Sequence, residues 1–207
     1  MTSNSTIYIV RHGETDHNVN HITQGHTDSS LTLNGIKQAE DLALLFKDIQ
    51  FDTIYSSDLS RAVHTAEIIT IGKNLGINKS ELLRERSYGV YDGRPSSIFV
   101  SENKEILEKL RTIPRLEKRK VKFAPDIESD EEINNRMITF LNEIGQTQIN
   151  KTILITTHGG IMRAFLNHLD WNGEEDIKSG AVKNTGYIKL KTDGDNFLIE
   201  DVIGVEK

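Results

Sequence analysis

Two hydrophobic periods alternate along this chain, one suited to strands and one to helices. Residues 6–10, TIYIV, are a β-branched and aromatic run that reads as a buried strand. Residues 34–48 then place Ile36, Ala39, Leu42, Ala43, Leu45 and Phe46 on one face of a helix. FDTIYSSD predicts a second strand at 51–55, running into Ser57 and Asp58, residue types that cap helices. The helix after them carries Leu59, Ala62, Val63, Ala66 and Ile69 and is expected to stop near Gly76. Helical spacing returns from 129 with Ile133, Met137, Phe140, Leu141 and Ile144. KTILITTHGG at 151–160 is another buried strand ending in His-Gly-Gly, and an apolar helix follows from Ile161 to about Leu169. Two strand-like runs, 186–191 and 197–203, flank the turn TDGDN.

This alternation implies an α/β fold, a three-layer α/β/α sandwich around a mostly parallel central sheet. In such sheets ligands bind at the carboxyl ends of the strands. Polar clusters at 11–13, 56–61 and 156–160 fall just past predicted strand ends. Residues 93–128 break the pattern, holding all three prolines and a dense basic cluster. They read as an insertion or lid within one domain spanning 1–207, not as a second domain.

Composition narrows the function classes. The chain has 207 residues, enough for one well-buried domain, with a formal charge of −6 and a pI near 5.7. That balance argues against nucleic acid or an anionic membrane as the main partner. No apolar run approaches the ~20 residues of a membrane helix. Cysteine is absent, which removes disulfides, thiolate nucleophiles and Cys-ligated metals. The N-terminus, MTSNSTIYIV, has neither a basic leader nor a long apolar core, so a cytoplasmic location is expected. The spacing gives no reading of oligomeric state.

Arg11-His12-Gly13 stands at the end of the first strand. Alone, such a pair reads as a core histidine beside a surface arginine. A second strand, however, ends in Thr157-His158-Gly159-Gly160, and packing does not explain two strand-terminal His-Gly pairs. Glycine there removes a Cβ where another group must approach, and backbone N–H groups of a helix starting near 160 favour an anion. His17, His21, His26, His64 and His168 lack this setting, although His17 and His26 lie near the proposed site. Arg61 sits in a first helical turn, against the helix dipole, which suggests pairing with an anion. Arg11 and Arg61 could clamp a phosphate with their planar forks. Glu81 and Glu85 are both candidate carboxylates, and Glu85 is favoured by its place before a Tyr-Gly pair in an irregular segment.

RHGET followed by Asn18, then SDLSRAVHTA, LLRERSYGVYDG and TTHGG, resemble in that order the motifs of the histidine phosphatase superfamily, in its phosphoglycerate mutase-like branch. The resemblance implies that His12 is a nucleophile that becomes a phosphohistidine. It implies that Arg11, Arg61 and His158 hold the phosphoryl oxygens, with Asn18 a further phosphate contact. Gln24, Gly25 and Gly159 fall at positions lining the substrate site, and Glu85 matches the general acid. A transferring phosphoryl group carries charge on its equatorial oxygens, so such a site works by positioning and electrostatics. The other ring nitrogen of His12 should donate to a backbone carbonyl and fix the tautomer. No metal or cofactor is expected, and the implied partner is a small phosphorylated metabolite.

Phosphatase and cofactor-dependent phosphoglycerate mutase both remain open on this resemblance. ERSYG at 85–89 resembles the mutase form, whereas 93–128 lacks the adjacent arginine pair of the mutases, which favours a phosphatase. The basic residues of the insertion, Lys118, Arg119, Lys120 and Lys122, either hold a second anionic group or form a solvated loop. A non-catalytic phospho-ligand module would be expected to lose His12 or Glu85. A histidine-ligated metal hydrolase would want a motif such as H-E-x-x-H, which does not occur.

Overall fold

The computed structural model of the chain describes residues 4–173 and 175–206. The reading of a missing leader rests partly on residues 1–3, which lie outside the described residues. Six strands form one sheet: β1 (Ser5–Arg11), β2 (Thr53–Ser57), β3 (Ile77–Ser80), β4 (Thr152–Thr157), β5 (Val182–Thr192) and β6 (Phe197–Val205). Their spatial order is β3-β2-β4-β1-β5-β6. The first four strands pair in parallel, and β5 runs antiparallel to both of its neighbours. The sheet is therefore mixed, with the parallel part at the motif-bearing strands. A short turn through TDGDN joins β5 to β6, and a connection of that length allows only an antiparallel hairpin.

The eight helices described are α1 (Asp16–Val19), α2 (Leu33–Leu45), α3 (Ser60–Ile69), α4 (Ser96–Glu102), α5 (Lys104–Leu110), α6 (Arg115–Lys118), α7 (Asp130–Thr147) and α8 (Gly159–His168). Period-two alternation in β1 divides them between two layers. Ile7 and Ile9 face Met137, Phe140, Leu141 and Ile144 of α7 and Ile161, Met162 and Phe165 of α8. Val10, with Tyr8, packs on Leu42 and Phe46 of α2 and Ala66 and Ile69 of α3. Because β1 is buried on both faces, it reads as a continuous apolar run. No helix among the described residues is long and apolar enough to cross a membrane.

Several boundaries differ from expectation. Helix α3 stops at Ile69 rather than near Gly76: Thr70 is its C-cap, and its hydroxyl donates to the Ala66 carbonyl oxygen at 2.7 Å. Residues 77–80 then leave as β3, too short and polar to show a strand pattern. Leu59, not Ser57 or Asp58, is the N-cap; Asp58 pairs with Arg84 instead. The insertion holds α4, α5 and α6, with Pro95 and Pro114 at N-caps, where a missing N–H is tolerated. Helix α7 begins with a capping box between Ser129 and Glu132, and Asp130, Glu131 and Glu132 match its dipole.

Gly13 and Gly35 let two backbones meet beside the first motif. A Cβ on Gly13 would lie 2.4 Å from the Gly35 carbonyl oxygen, and one on Gly35 would lie 2.0 Å from that of Glu14. Only paired glycines allow the start of α2 to press against the residue after His12.

Candidate active site

Strands β2, β4 and β1 are consecutive in the sheet, so their carboxyl ends lie side by side. Arg11 is opposite Thr157 in the β1–β4 ladder, and the His12 N–H donates to the Thr157 carbonyl oxygen at 3.0 Å. That pairing brings His12 and His158 together, with ring centroids 5.2 Å apart and planes at 63°. Both rings are buried.

Their hydrogen bonds fix opposite roles for the two rings. His12 Nδ1 lies 2.7 Å from the Gly13 carbonyl oxygen, which can only accept, so Nδ1 carries the proton and Nε2 a lone pair. The carbonyl expected to set the tautomer is thus the residue's own neighbour. Arg61 Nε, which can only donate, is 3.2 Å from His158 Nδ1. His158 therefore carries its proton on Nε2, a buried donor with no partner among the described residues. Burial holds His12 well below the ordinary histidine pKa, and the charges of Arg61 and Arg11 push the same way, against the bond to Gly13. Burial, then Arg61 and His12, do the same to His158. Both rings are neutral over the physiological range.

Arg61 is almost fully buried in the first turn of α3. Besides its bond to His158, it donates from Nη1 to Thr27 O at 2.7 Å and from Nη2 to Gly25 O at 2.8 Å. Its nearest carboxylate is Asp28, at 3.5 Å. Much of the planar fork expected to clamp a phosphate is therefore held by the 25–28 loop, leaving its charge and remaining N–H groups. Burial pushes the Arg61 pKa down, opposed by Glu85, Asp28 and Asp92. Arg11 donates from Nη1 to Val182 O, and its buried Nε has no partner among the described residues. Burial lowers its pKa as well, with Glu85 opposing.

Glu85 occupies the start of α8. Its carboxylate accepts from Gly160 N at 2.8 Å, Ile161 N at 3.1 Å and Arg86 N at 2.8 Å. The N–H groups expected to face an anion at this helix N-terminus are therefore taken by a carboxyl group of the chain itself. A Cβ on Gly160 would lie 2.3 Å from Glu85 Oε1, and one on Gly159 would lie 3.1 Å from Arg11 Nε. Glu81 is not here; it sits on the surface beside Arg84.

Asn18 reaches the site through its amide. Its Oδ1 accepts from Thr15 N at 3.2 Å and from Asn184 Nδ2, also at 3.2 Å. Gln24 Oε1 is buried without a partner among the described residues, and Gly25 contributes the carbonyl that holds Arg61. His26 Nε2 is 2.9 Å from the Glu85 carbonyl oxygen, so it donates there. His17, expected near the site, has a buried Nδ1 with no partner among the described residues.

Several contributors escape a reading from sequence. Asn184 Nδ2 also donates to His12 O at 3.0 Å, tying Asn18 to the histidine's backbone. Arg136 of α7 donates to the carbonyls of Leu82, Arg84 and Glu85 and pairs with Glu128, which holds the Glu85 segment from behind. Arg163 of α8 and Arg86 share Asp130 at the mouth of the site. Only Arg136 leaves a trace, a basic residue beside the apolar stripe of α7. Most of the insertion's basic residues stand against carboxylates, while Lys120 is exposed. Arg115 and Lys118 pair with Asp176, Arg119 pairs with Asp170, and Lys122 pairs with Glu132.

The sequence model of the histidine phosphatase superfamily (branch 1) matches residues 7–203. The uncharacterized phosphatase PhoE of Bacillus subtilis is 30% identical over 197 residues, 95% of this chain and 93% of that protein. A 2,3-bisphosphoglycerate-dependent phosphoglycerate mutase of Cytophaga hutchinsonii is 30% identical over 177 residues, 83% of this chain and 80% of that protein. Among solved structures, Bacillus stearothermophilus YhfR superposes with a TM-score of 0.83 at 27% identity, covering 98% of each chain. Fold and neutral histidine pair define a class of enzyme built for chemistry on phosphate. The chain belongs to the histidine phosphatase superfamily, branch 1, and is an enzyme of the histidine phosphatase type.

Proposed function

We propose that the enzyme hydrolyses a small phosphomonoester in two displacements, without a metal. The observation that carries this reading is the complementary protonation of the two facing rings. His12 Nε2 has a lone pair with which to attack phosphorus, and His158 Nε2–H is a buried donor for a phosphoryl oxygen. In the first step His12 Nε2 bonds to phosphorus as the ester P–O bond breaks, and Glu85 gives the leaving oxygen its proton. In the second, water attacks phosphohistidine, Glu85 takes the water's proton, and the P–N bond breaks. Arg11 and Arg61 balance charge on the equatorial oxygens, Asn18 is a further oxygen contact, and Gln24, Gly25 and Gly159 shape the approach. Residues 93–128 serve as a lid over this site within a single domain.

The second reading, a cofactor-dependent phosphoglycerate mutase, is favoured by ERSYG and by the mutase among the relatives. Against it, Arg115 and Arg119 of the insertion are engaged by Asp176, Asp170 and the Asn167 carbonyl. The deciding experiment measures phosphate release in EDTA from a panel of phosphomonoesters that includes 3-phosphoglycerate. A parallel assay follows 2-phosphoglycerate, with and without 2,3-bisphosphoglycerate. Release is expected, and His12→Ala is expected to abolish it while keeping the far-ultraviolet spectrum. Isomerisation without release would establish the mutase, and activity surviving His12→Ala would end the covalent mechanism.

A further inference from the structure

The segment that carries Glu85, residues 84–88, belongs to no helix or strand. Its backbone groups have no ladder to join and must find partners elsewhere. A largely buried ion pair behind the segment supplies them. Arg136 of α7 uses all five of its N–H donors. Nη1 donates to the carbonyl oxygens of Leu82 at 2.9 Å and Arg84 at 2.6 Å, and Nη2 to that of Glu85 at 2.9 Å. Nε and Nη2 also meet the Glu128 carboxylate, at 2.9 and 3.0 Å. Glu128 Oε2 in turn accepts from Ser87 N at 2.8 Å. Burial alone would raise the Glu128 pKa, yet its bonds to Arg136 and Ser87 hold it below the ordinary carboxylate value. The pair therefore grips the chain on either side of Glu85. Beyond Ser87, the Tyr88 ring stands edge-on to Phe99 of the insertion at 5.4 Å, and Phe99 meets Phe123 at 4.9 Å.

We propose that Arg136, locked by Glu128, is the positioning residue for Glu85 and sets where that carboxyl group stands relative to the oxygen leaving phosphorus. The proposal rests on the reading of Glu85 as general acid and adds the group on which that role depends. Arg136 bonds to backbone and to Glu128, so it acts on the reaction through the place it gives Glu85. An acid must lie within hydrogen-bond reach of the oxygen it protonates, and a displacement of about 1 Å can cost on the order of 10²-fold. Lysine would keep the charge without the planar fork, so charge alone does not replace Arg136.

The test compares phenyl phosphate with 4-nitrophenyl phosphate, esters of similar size whose leaving oxygens differ in their need for a proton. Arg136→Gln is expected to lower kcat/KM for phenyl phosphate by about 30-fold or more, and for 4-nitrophenyl phosphate by about threefold at most. Arg136→Lys is expected to follow Arg136→Gln and not the wild type. Added to Glu85→Gln, Arg136→Gln is expected to cost less than about a further twofold, because nothing is left to position. Equal losses on the two esters, or losses that multiply in the double variant, overturn the proposal and leave Arg136 a support of the fold. Where Arg136→Gln does not fold, Glu128→Gln, which keeps the side chain's shape and removes its charge, decides by the same ratio. Glu85→Gln slowing both esters alike would instead end the acid role itself. No release from either ester by the wild type would end the phosphatase reading. The proposal falls with either of these, and each is read separately from it.

Discussion

His12 and His158 are both neutral because the protein withholds water from them and surrounds them with arginine. That has a cost at low pH, and its sign is fixed. Unfolded, each ring takes up a proton as pH falls through about 6.5. Folded, each stays neutral to lower pH, so the unfolded state binds more protons below 6.5 and stability falls with pH there. Each histidine contributes a slope of about 1.4 kcal/mol per pH unit across that window. Urea midpoints between pH 7.5 and 5 should decline in the wild type and decline less in His158→Asn, whose amide cannot titrate. Parallel declines would mean that other groups carry the acid sensitivity. His12, His158, Arg11 and Arg61 were legible from sequence because their motifs place polar residues where strands should end. Asn184 was not, since a single asparagine in a strand has no pattern, and only the fold brings it to the His12 carbonyl. The engagement of much of the Arg61 fork was equally hidden, because Gly25 and Thr27 offer it backbone carbonyls, which carry no residue-type signal.

At the level of elements, the site depends on how closely the first turn of α2 approaches the residue after His12. Gly13→Ala would drive a methyl into the Gly35 carbonyl, a backbone atom that cannot swing aside. The expected cost is about 1–3 kcal/mol by denaturant titration, with an unchanged m-value. A variant as stable as the wild type would show that α2 can shift freely. Such a shift should also loosen the Gly13 carbonyl that holds the His12 proton. The long periodic elements were readable: α7 has a wide apolar stripe and α8 a still more apolar one. What escaped was short or decided by distant partners. β3 has four residues, INKS, and is a strand because β2 offers it an edge. β5 runs antiparallel to β1 beside the parallel strands, and an alternating pattern is the same in either direction. Helices α4 to α6 are seven residues or fewer, below the length at which a stripe is visible.

For the whole molecule, the insertion is attached by charge on one side and by aromatic packing on the other. Arg115 and Arg119 both donate to the Asn167 carbonyl near the end of α8, and Asp176 takes Arg115 and Lys118 together. These pairs are partly exposed, so each is worth about 1 kcal/mol at most and less in high salt. Asp176→Asn should therefore leave the melting temperature nearly unchanged while amide exchange across 104–121 rises a few-fold. Unchanged exchange would assign the attachment to Phe99 and its neighbours alone. The basic run was visible in sequence, but Asp170 and Asp176, its carboxylate partners, lie far downstream, at and beyond the end of α8. The antiparallel strand β5 has a consequence for how the enzyme is made. Val182 O accepts from Arg11, and Asn184 Nδ2 donates to the His12 carbonyl oxygen, across sequence separations of 171 and 172 residues. A chain synthesised only as far as the end of α8 already contains Arg11, His12, Arg61 and Glu85. It lacks β5, which holds Arg11 and the His12 backbone, so the site is expected to be assembled only after that strand has been made.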